Sequence, residues 1–156
     1  MPALMSLLLL LQAAPVPTCR TADARLEQII AAKAAELQGA EHCQFRLYHT
    51  LHDVDGDGAD DFVVVFAVEG AGGSNAVAQF LVVFPSARNW EPLTLQVGRK
   101  GERFVEGVDV DERTIVLRTS EYEKNDPACC PSGKGELRYA FVRGRLLAAE
   151  SPRPKK

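Results

Sequence analysis

The sequence predicts an α+β domain, with one N-terminal amphipathic helix packed on a mainly antiparallel β-meander of about seven to eight strands. Three observations carry that expectation. Residues 21–37 have helical periodicity, and every periodic segment after them has strand character. Residues 62–68 and 80–84 are continuous apolar runs, as in strands covered on both faces. Most joints between segments are short and hold Gly, Asn or Asp, so neighbours in sequence should pair antiparallel.

In the helix, Leu26, Ile29, Ile30, Ala34 and Leu37 recur at helical spacing, while Arg25, Glu27, Lys33 and Glu36 fall largely on other faces. Thr21 or Asp23 can cap its start, and Gly39 stands where a left-handed C-terminal cap is expected. The period then changes to two. Phe45, Leu47, His49 and Leu51 alternate with Arg46, Tyr48 and Thr50, as on a half-buried strand. Segments 93–97, 104–110 and 114–119 read as further strands. Residues 137–141 alternate as well, and Arg143-Gly144 marks a hairpin into 145–148.

A chain of 156 residues, 46% hydrophobic and 25% charged, is long enough for one domain with a real core. Its net charge of −3 argues against nucleic acid as the main partner. Residues 4–11 are nearly all apolar, and no charged side chain precedes Arg20. The run falls short of the roughly 20 apolar residues that span a bilayer, so no transmembrane segment is expected. It suits a signal peptide over residues 1–18, leaving a single β-rich domain at 19–150 and a disordered basic tail at 151–156. The expected location is periplasmic or secreted. Lipid anchoring through Cys19 is the alternative, but Val16-Pro17-Thr18 lacks the small residue usual before an acylated cysteine. The cysteines are Cys19, Cys43, Cys129 and Cys130, an even set that suggests disulfides in an exported chain. Three pairings are open: the adjacent pair can close on itself or reach Cys19 and Cys43. Missing C-x-x-C spacing argues against zinc.

The stretch HDVDGDGADDFVVVF carries five aspartates within nine residues. Counted from Asp53, ligand-type side chains fall at positions 1, 3 and 5, namely Asp53, Asp55 and Asp57. Gly58 at position 6 permits a sharp turn, Ala59 at position 7 can offer its carbonyl, and Asp61 at position 9 closes the set. A hard cation with six to eight oxygen ligands fits this spacing, so Ca²⁺ is the expected cofactor; Asp60 falls between ligand positions and should face solvent. Without a cation, the converging carboxylates would repel one another. Position 12 is Val64, where a helix-loop-helix hand supplies a glutamate, and a strand follows in place of a helix. The loop resembles the DxDxDGxxD loops of dockerins, of thrombospondin type 3 repeats and of the FG-GAP repeats in integrin propellers.

Over most of the mature chain the order of features resembles a family of small exported bacterial proteins without an assigned activity. They share a signal, one DxDGDGxxD loop entering an apolar strand, a glycine-rich turn and a late DPxCCPS segment, here DPACCPS at 126–132, before a last hairpin. A looser likeness is to periplasmic lysozyme inhibitors and to immunity proteins against cell-wall hydrolases. That likeness implies a binding module whose partner is another protein. The loops that would meet such a partner are GAGGSN, with Gly72, Gly73, Ser74 and Asn75, and residues 121–134, with Tyr122. No catalytic residue is assigned and no enzymatic role is expected, since G-x-S-x-G, phosphate-loop and H-E-x-x-H motifs are all missing. Glu69, Glu121, Glu123 and Asp126 are the carboxylates that a hydrolase reading would use. A structural envelope protein is the other alternative.

Overall fold

The structure, a computed structural model, describes residues 23–70, 77–86 and 91–149. The expected signal segment, Cys19, the residues from Gly72 through Asn75 and the basic tail lie outside the described residues. The elements in order are helix α1 (Ala24–Glu36), β1 (Gly39–Glu41), a 3-10 turn (Cys43–Phe45), β2 (Leu47–His52), β3 (Asp61–Gly70), β4 (Val77–Phe84), β5 (Leu93–Arg99), β6 (Arg103–Asp111), β7 (Thr114–Glu121), β8 (Gly133–Val142) and β9 (Arg145–Ala148). All nine strands join one sheet through antiparallel pairs, so the α+β meander is as expected. The short β1 is the addition.

Asp23 caps the helix: its Oδ1 accepts from the N–H of Arg25 at 2.8 Å and of Leu26 at 3.4 Å. The left-handed residue at the other end is Gln38, with φ 52°, and not Gly39 as expected. Gly39 already belongs to β1, where a Cβ would stand 1.9 Å from the carbonyl oxygen of Glu69. The glycine is needed for that close approach of strands.

Three layers result. Val64, Phe66 and Val68 of β3, with Phe80, Val82 and Phe84 of β4, pack against Leu26 and Ile30 of α1. The alternate residues, Val63, Val65, Leu81 and Val83, face the other way and meet Val105, Val110, Ile115 and Leu117 of β6 and β7. Two-sided burial is why these runs contain no polar alternation. On the helix side, the Arg25 guanidinium lies 4.8 Å from the Phe84 ring centroid and Lys33 Nζ lies 5.4 Å from that of Phe80. Their aliphatic stems cover aromatic surface while the charges stay wet.

The sheet bends sharply between β5 and β6, which pair only at Arg99↔Arg103. It thus divides into two half-sheets that face each other, with β6 lying against β2. Buried Gln79 spans the gap. Its Nε2 donates to the Val105 carbonyl at 3.1 Å, and its Oε1 accepts from the Val105 N–H at 2.6 Å. The side-chain amide supplies the two bonds that a neighbouring peptide would supply in a regular ladder.

The expected alternation holds at Leu47 and Tyr48, the start of β2, and fails just ahead of it. Phe45 is 45% exposed, whereas the Arg46 side chain is 5% exposed. The 3-10 turn at Cys43–Phe45 takes Phe45 out of the strand, and Arg46 turns inward to a bidentate pair with Glu41, Nε and Nη2 at 2.7 and 2.6 Å. Tyr48 Oη accepts from Arg46 Nη1 at 3.1 Å, and Glu27 of α1 lies 3.7 Å from Nη2, so one guanidinium ties helix, β1 and β2 together.

Gln79→Leu keeps the volume but strips Val105 of both partners. It should destabilise the domain by about 2–3 kcal/mol, read as a lowered urea midpoint at unchanged slope.

Candidate metal centre and opposite groove

The aspartate loop folds over one end of the space between the half-sheets. Val54, its second residue, is 1% exposed and packs into the core there. Asp61 is 3% exposed and heads β3. Its Oδ2 accepts from the N–H of Val54 at 2.7 Å and of Asp55 at 3.2 Å, and its Oδ1 accepts from the Ser86 N–H at 2.6 Å. Asp53 gathers the turn: Oδ1 accepts from the amides of Gly56 at 2.5 Å and Asp57 at 3.1 Å, and Oδ2 from that of Gly58 at 2.9 Å. Gly56 and Gly58 have φ of 85° and 90°, so the chain turns through two left-handed glycines.

These bonds converge three of the expected ligands. Asp53, Asp55 and Asp61 each offer a carboxylate oxygen, and the three oxygens lie within 4.8 Å of one another. Asp57 is engaged elsewhere: Ser86 Oγ donates to its carboxylate at 3.1 Å, and the Ala59 N–H donates to its Oδ1 at 2.7 Å. Asp60 is exposed, as expected. Asp55 Oδ2 is shut off from solvent and has no hydrogen-bond partner. Desolvation raises the Asp55 pKa, an amide bond from Asp57 opposes this, and the charges of Asp61, Asp57 and Asp53 raise it further. For Asp53, desolvation also acts upward, but the amides of Gly58, Gly56 and Asp57 and the nearby Arg113 outweigh it, and the pKa is lowered. A buried, unpartnered carboxylate oxygen among like charges is a donor set suited to a hard cation.

Sequence reasoning missed Ser86, which lies 25 residues beyond Asp61 and had no signal of its own. It also missed Arg113, in the turn between β6 and β7. A Cβ on Gly56 would stand 2.2 Å from Arg113 Nη1, so the second half-sheet reaches the loop directly. Gly56, the first glycine of the DGDG run, was the available signal.

The strands carry the chain away from this end to a second feature. Cys129 and Cys130 are bonded to each other. Cys43 is also in a disulfide, whose partner lies outside the described residues. Asp126 organises the loop that holds the adjacent pair. Its Oδ2 accepts from the N–H of Glu123 and of Ser132, both at 2.7 Å, and its Oδ1 from Ser132 Oγ at 2.7 Å. Tyr122, half-buried, donates its hydroxyl to the Ala128 carbonyl at 2.8 Å, with its ring 5.9 Å from that of Phe104. Beside the loop opens a groove of about 560 Å³, walled by Phe45, Leu47, Val77, Phe104, Cys129 and Pro131. The loop at 121–134 thus flanks a concave apolar surface, which Val77 at the start of β4 also lines.

Of the other carboxylates weighed for acid–base work, Glu69 and Glu121 have ion-pair partners. Glu69 lies 3.5 Å from His42, and Glu121 3.6 Å from Arg103. Among the described residues no helix is long and apolar enough to cross a membrane. No protein-family model, curated protein or solved structure matches the chain.

The Asp126 pKa is lowered, first by the Glu123 N–H and then by the hydroxyl and N–H of Ser132, against a small desolvation. A carboxyl lowered on folding contributes its full stabilisation above the unfolded value of about 3.9, and loses it as pH falls through the folded value. Amide exchange at Glu123 and Ser132 should therefore accelerate, beyond the intrinsic pH trend, as pH falls below about 4. Asp126→Asn should remove that step.

Proposed function

We propose that the chain is an exported, calcium-stabilised binding module that engages another protein through the groove beside the disulfide loop. In its specific form the proposal makes it an inhibitor or immunity protein against a cell-wall hydrolase, in the periplasm or outside the cell. The groove carries this reading. Its volume falls in the range of ligand sites, its walls are mostly apolar, and Phe45 stands exposed on it. A rigid loop pinned by Asp126 suits an inhibitor, because a surface ordered in advance loses little entropy on binding. The two disulfides support an oxidising compartment.

Calcium belongs to the same reading as a stabiliser at the other end of the molecule. Asp53, Asp55 and Asp61 would hold the ion, with Asp57 and the Ala59 carbonyl as the remaining members of the loop's set. The ion would supply positive charge to the unpartnered oxygen of Asp55. It would also clamp Val54 over the core.

Calcium at a hundred times its Kd adds about 2.7 kcal/mol to a folded state that alone binds it, so the melting temperature should rise by roughly 5–10 °C. Asp55→Asn should abolish the rise. Identical melting curves in saturating calcium and in chelator would falsify the metal site.

The partner is tested separately. Immobilised protein in calcium should capture a protein from cell-envelope extract, and purified protein should inhibit at least one of a panel of cell-wall hydrolases. Phe45→Asp, at an exposed position, should abolish both while leaving the melting temperature within a few degrees. No capture and no inhibition across the panel would sink the proposal.

A further inference from the structure

The bond between Cys129 and Cys130 sits on a loop that is held in place without it. Glu121 of β7 pairs directly with Gly133 of β8, so both ends of the loop are fixed in the sheet. Between them, Asp126 accepts from the N–H of Glu123, the N–H of Ser132 and Ser132 Oγ, all at 2.7 Å. Tyr122 Oη donates to the Ala128 carbonyl at 2.8 Å, and the Cys130 N–H donates to the Pro127 carbonyl at 3.0 Å. None of these bonds involves a sulfur atom.

Cys129 and Cys130 are both exposed, which is the access that attack by a thiolate requires. Neighbours in sequence cannot drift apart once their bond is broken, so the two thiols stay within reach for it to re-form. Cys43 differs. It has no cysteine beside it in the sequence, so its bond joins residues further apart, and opening that bond releases chain. Cys129 is also the member of the adjacent pair that lines the apolar groove, so a ligand in the groove meets that side of the bond.

We propose that Cys129–Cys130 is a reversible thiol–disulfide exchange site whose substrate is a dithiol. One thiolate of the dithiol attacks Cys129 Sγ and forms a mixed disulfide as the bond to Cys130 breaks. Cys130 leaves as a thiolate and takes up a proton. The second thiol of the substrate loses its proton and attacks the substrate sulfur of the mixed disulfide. The substrate departs as a disulfide, and the Cys129 thiolate is protonated in its turn. Two electrons and two protons thus pass from the dithiol to the pair, so the substrate is oxidised and the protein reduced. The loop keeps its place, and only the wall of the groove changes, from one bonded pair to two thiols.

Equilibration of the full chain in graded dithiothreitol, followed by alkylation and peptide mass mapping, tests this. Cys129 and Cys130 should be reduced at about a tenfold lower dithiothreitol concentration than Cys43, each chain oxidising a single dithiothreitol. At that point the circular dichroism spectrum and the amide protection of Glu123 and Ser132 should be unchanged, and the melting temperature should hold within a few degrees. Oxidised glutathione should then restore the Cys129–Cys130 bond with the Cys43 bond still intact. A double variant, Cys129→Ser with Cys130→Ser, should fold as the wild type does and oxidise no dithiothreitol at that concentration. A pair that opens only with Cys43, or after it, overturns the proposal. So does loss of amide protection in the loop on reduction, or a double variant that fails to fold, because the bond would then be a structural staple.

Discussion

Asp61 stands at the head of β3 with 3% of its surface exposed, and a carboxylate so buried must be saturated with donors. It finds them in the backbone: two amides of the aspartate loop and that of Ser86, beyond the end of β4. Three stretches of chain are thereby tied to one side chain. The ties set the loop over the end of the inter-sheet core, where Val54 closes it. They also bring Asp53 and Asp55 to Asp61, so the geometry that completes the core is the same geometry that concentrates charge. The cluster's own amides stabilise Asp53, whereas Asp55 is left with an unsatisfied oxygen. The proposed cation would therefore act through the same few bonds that close the core.

The remainder of the molecule follows from having one sheet cover itself. β3 and β4 are buried on both faces because α1 takes one and the β6–β7 half-sheet takes the other. A sheet that folds back must break its ladder somewhere, and it breaks between β5 and β6. The break would orphan Val105 in the interior; the Gln79 amide meets that need. Among the described residues the break also leaves the outer side of β5 paired only at Arg99. The aspartate cluster and the apolar groove lie at opposite ends of the strands, so an ion held at the cluster would not touch whatever enters the groove.

Much of this was readable from residue order. The unbroken apolar runs of β3 and β4 suggested central strands, and the aspartate spacing included the three residues that converge, Asp53, Asp55 and Asp61, along with Asp57, which turns to Ser86. The features that escaped have local physical reasons. A three-residue 3-10 turn took the residues ahead of Leu47 out of the strand, which put Phe45 outside and Arg46 inside; a period of two carried back from β2 cannot register such a break. Gln38 took the left-handed position because Gly39 was needed where β1 meets Glu69. Gln79 reads as an exposed interruption within an apolar strand unless the bend is known. Ser86 meets Asp61 and Asp57 only through the tertiary fold. The adjacent cysteines could have paired three ways, and no spacing rule chooses among them.

A covalent bridge stabilises a folded state mainly by restricting the unfolded chain, and that restriction grows with the number of residues enclosed. The bond between Cys129 and Cys130 encloses none. It removes almost nothing from the conformational freedom of the denatured ensemble, so the domain gains little resistance to unfolding from it. Its effect is confined to the folded surface, where it replaces two mobile thiol side chains with one fixed, apolar knuckle on the wall of the groove.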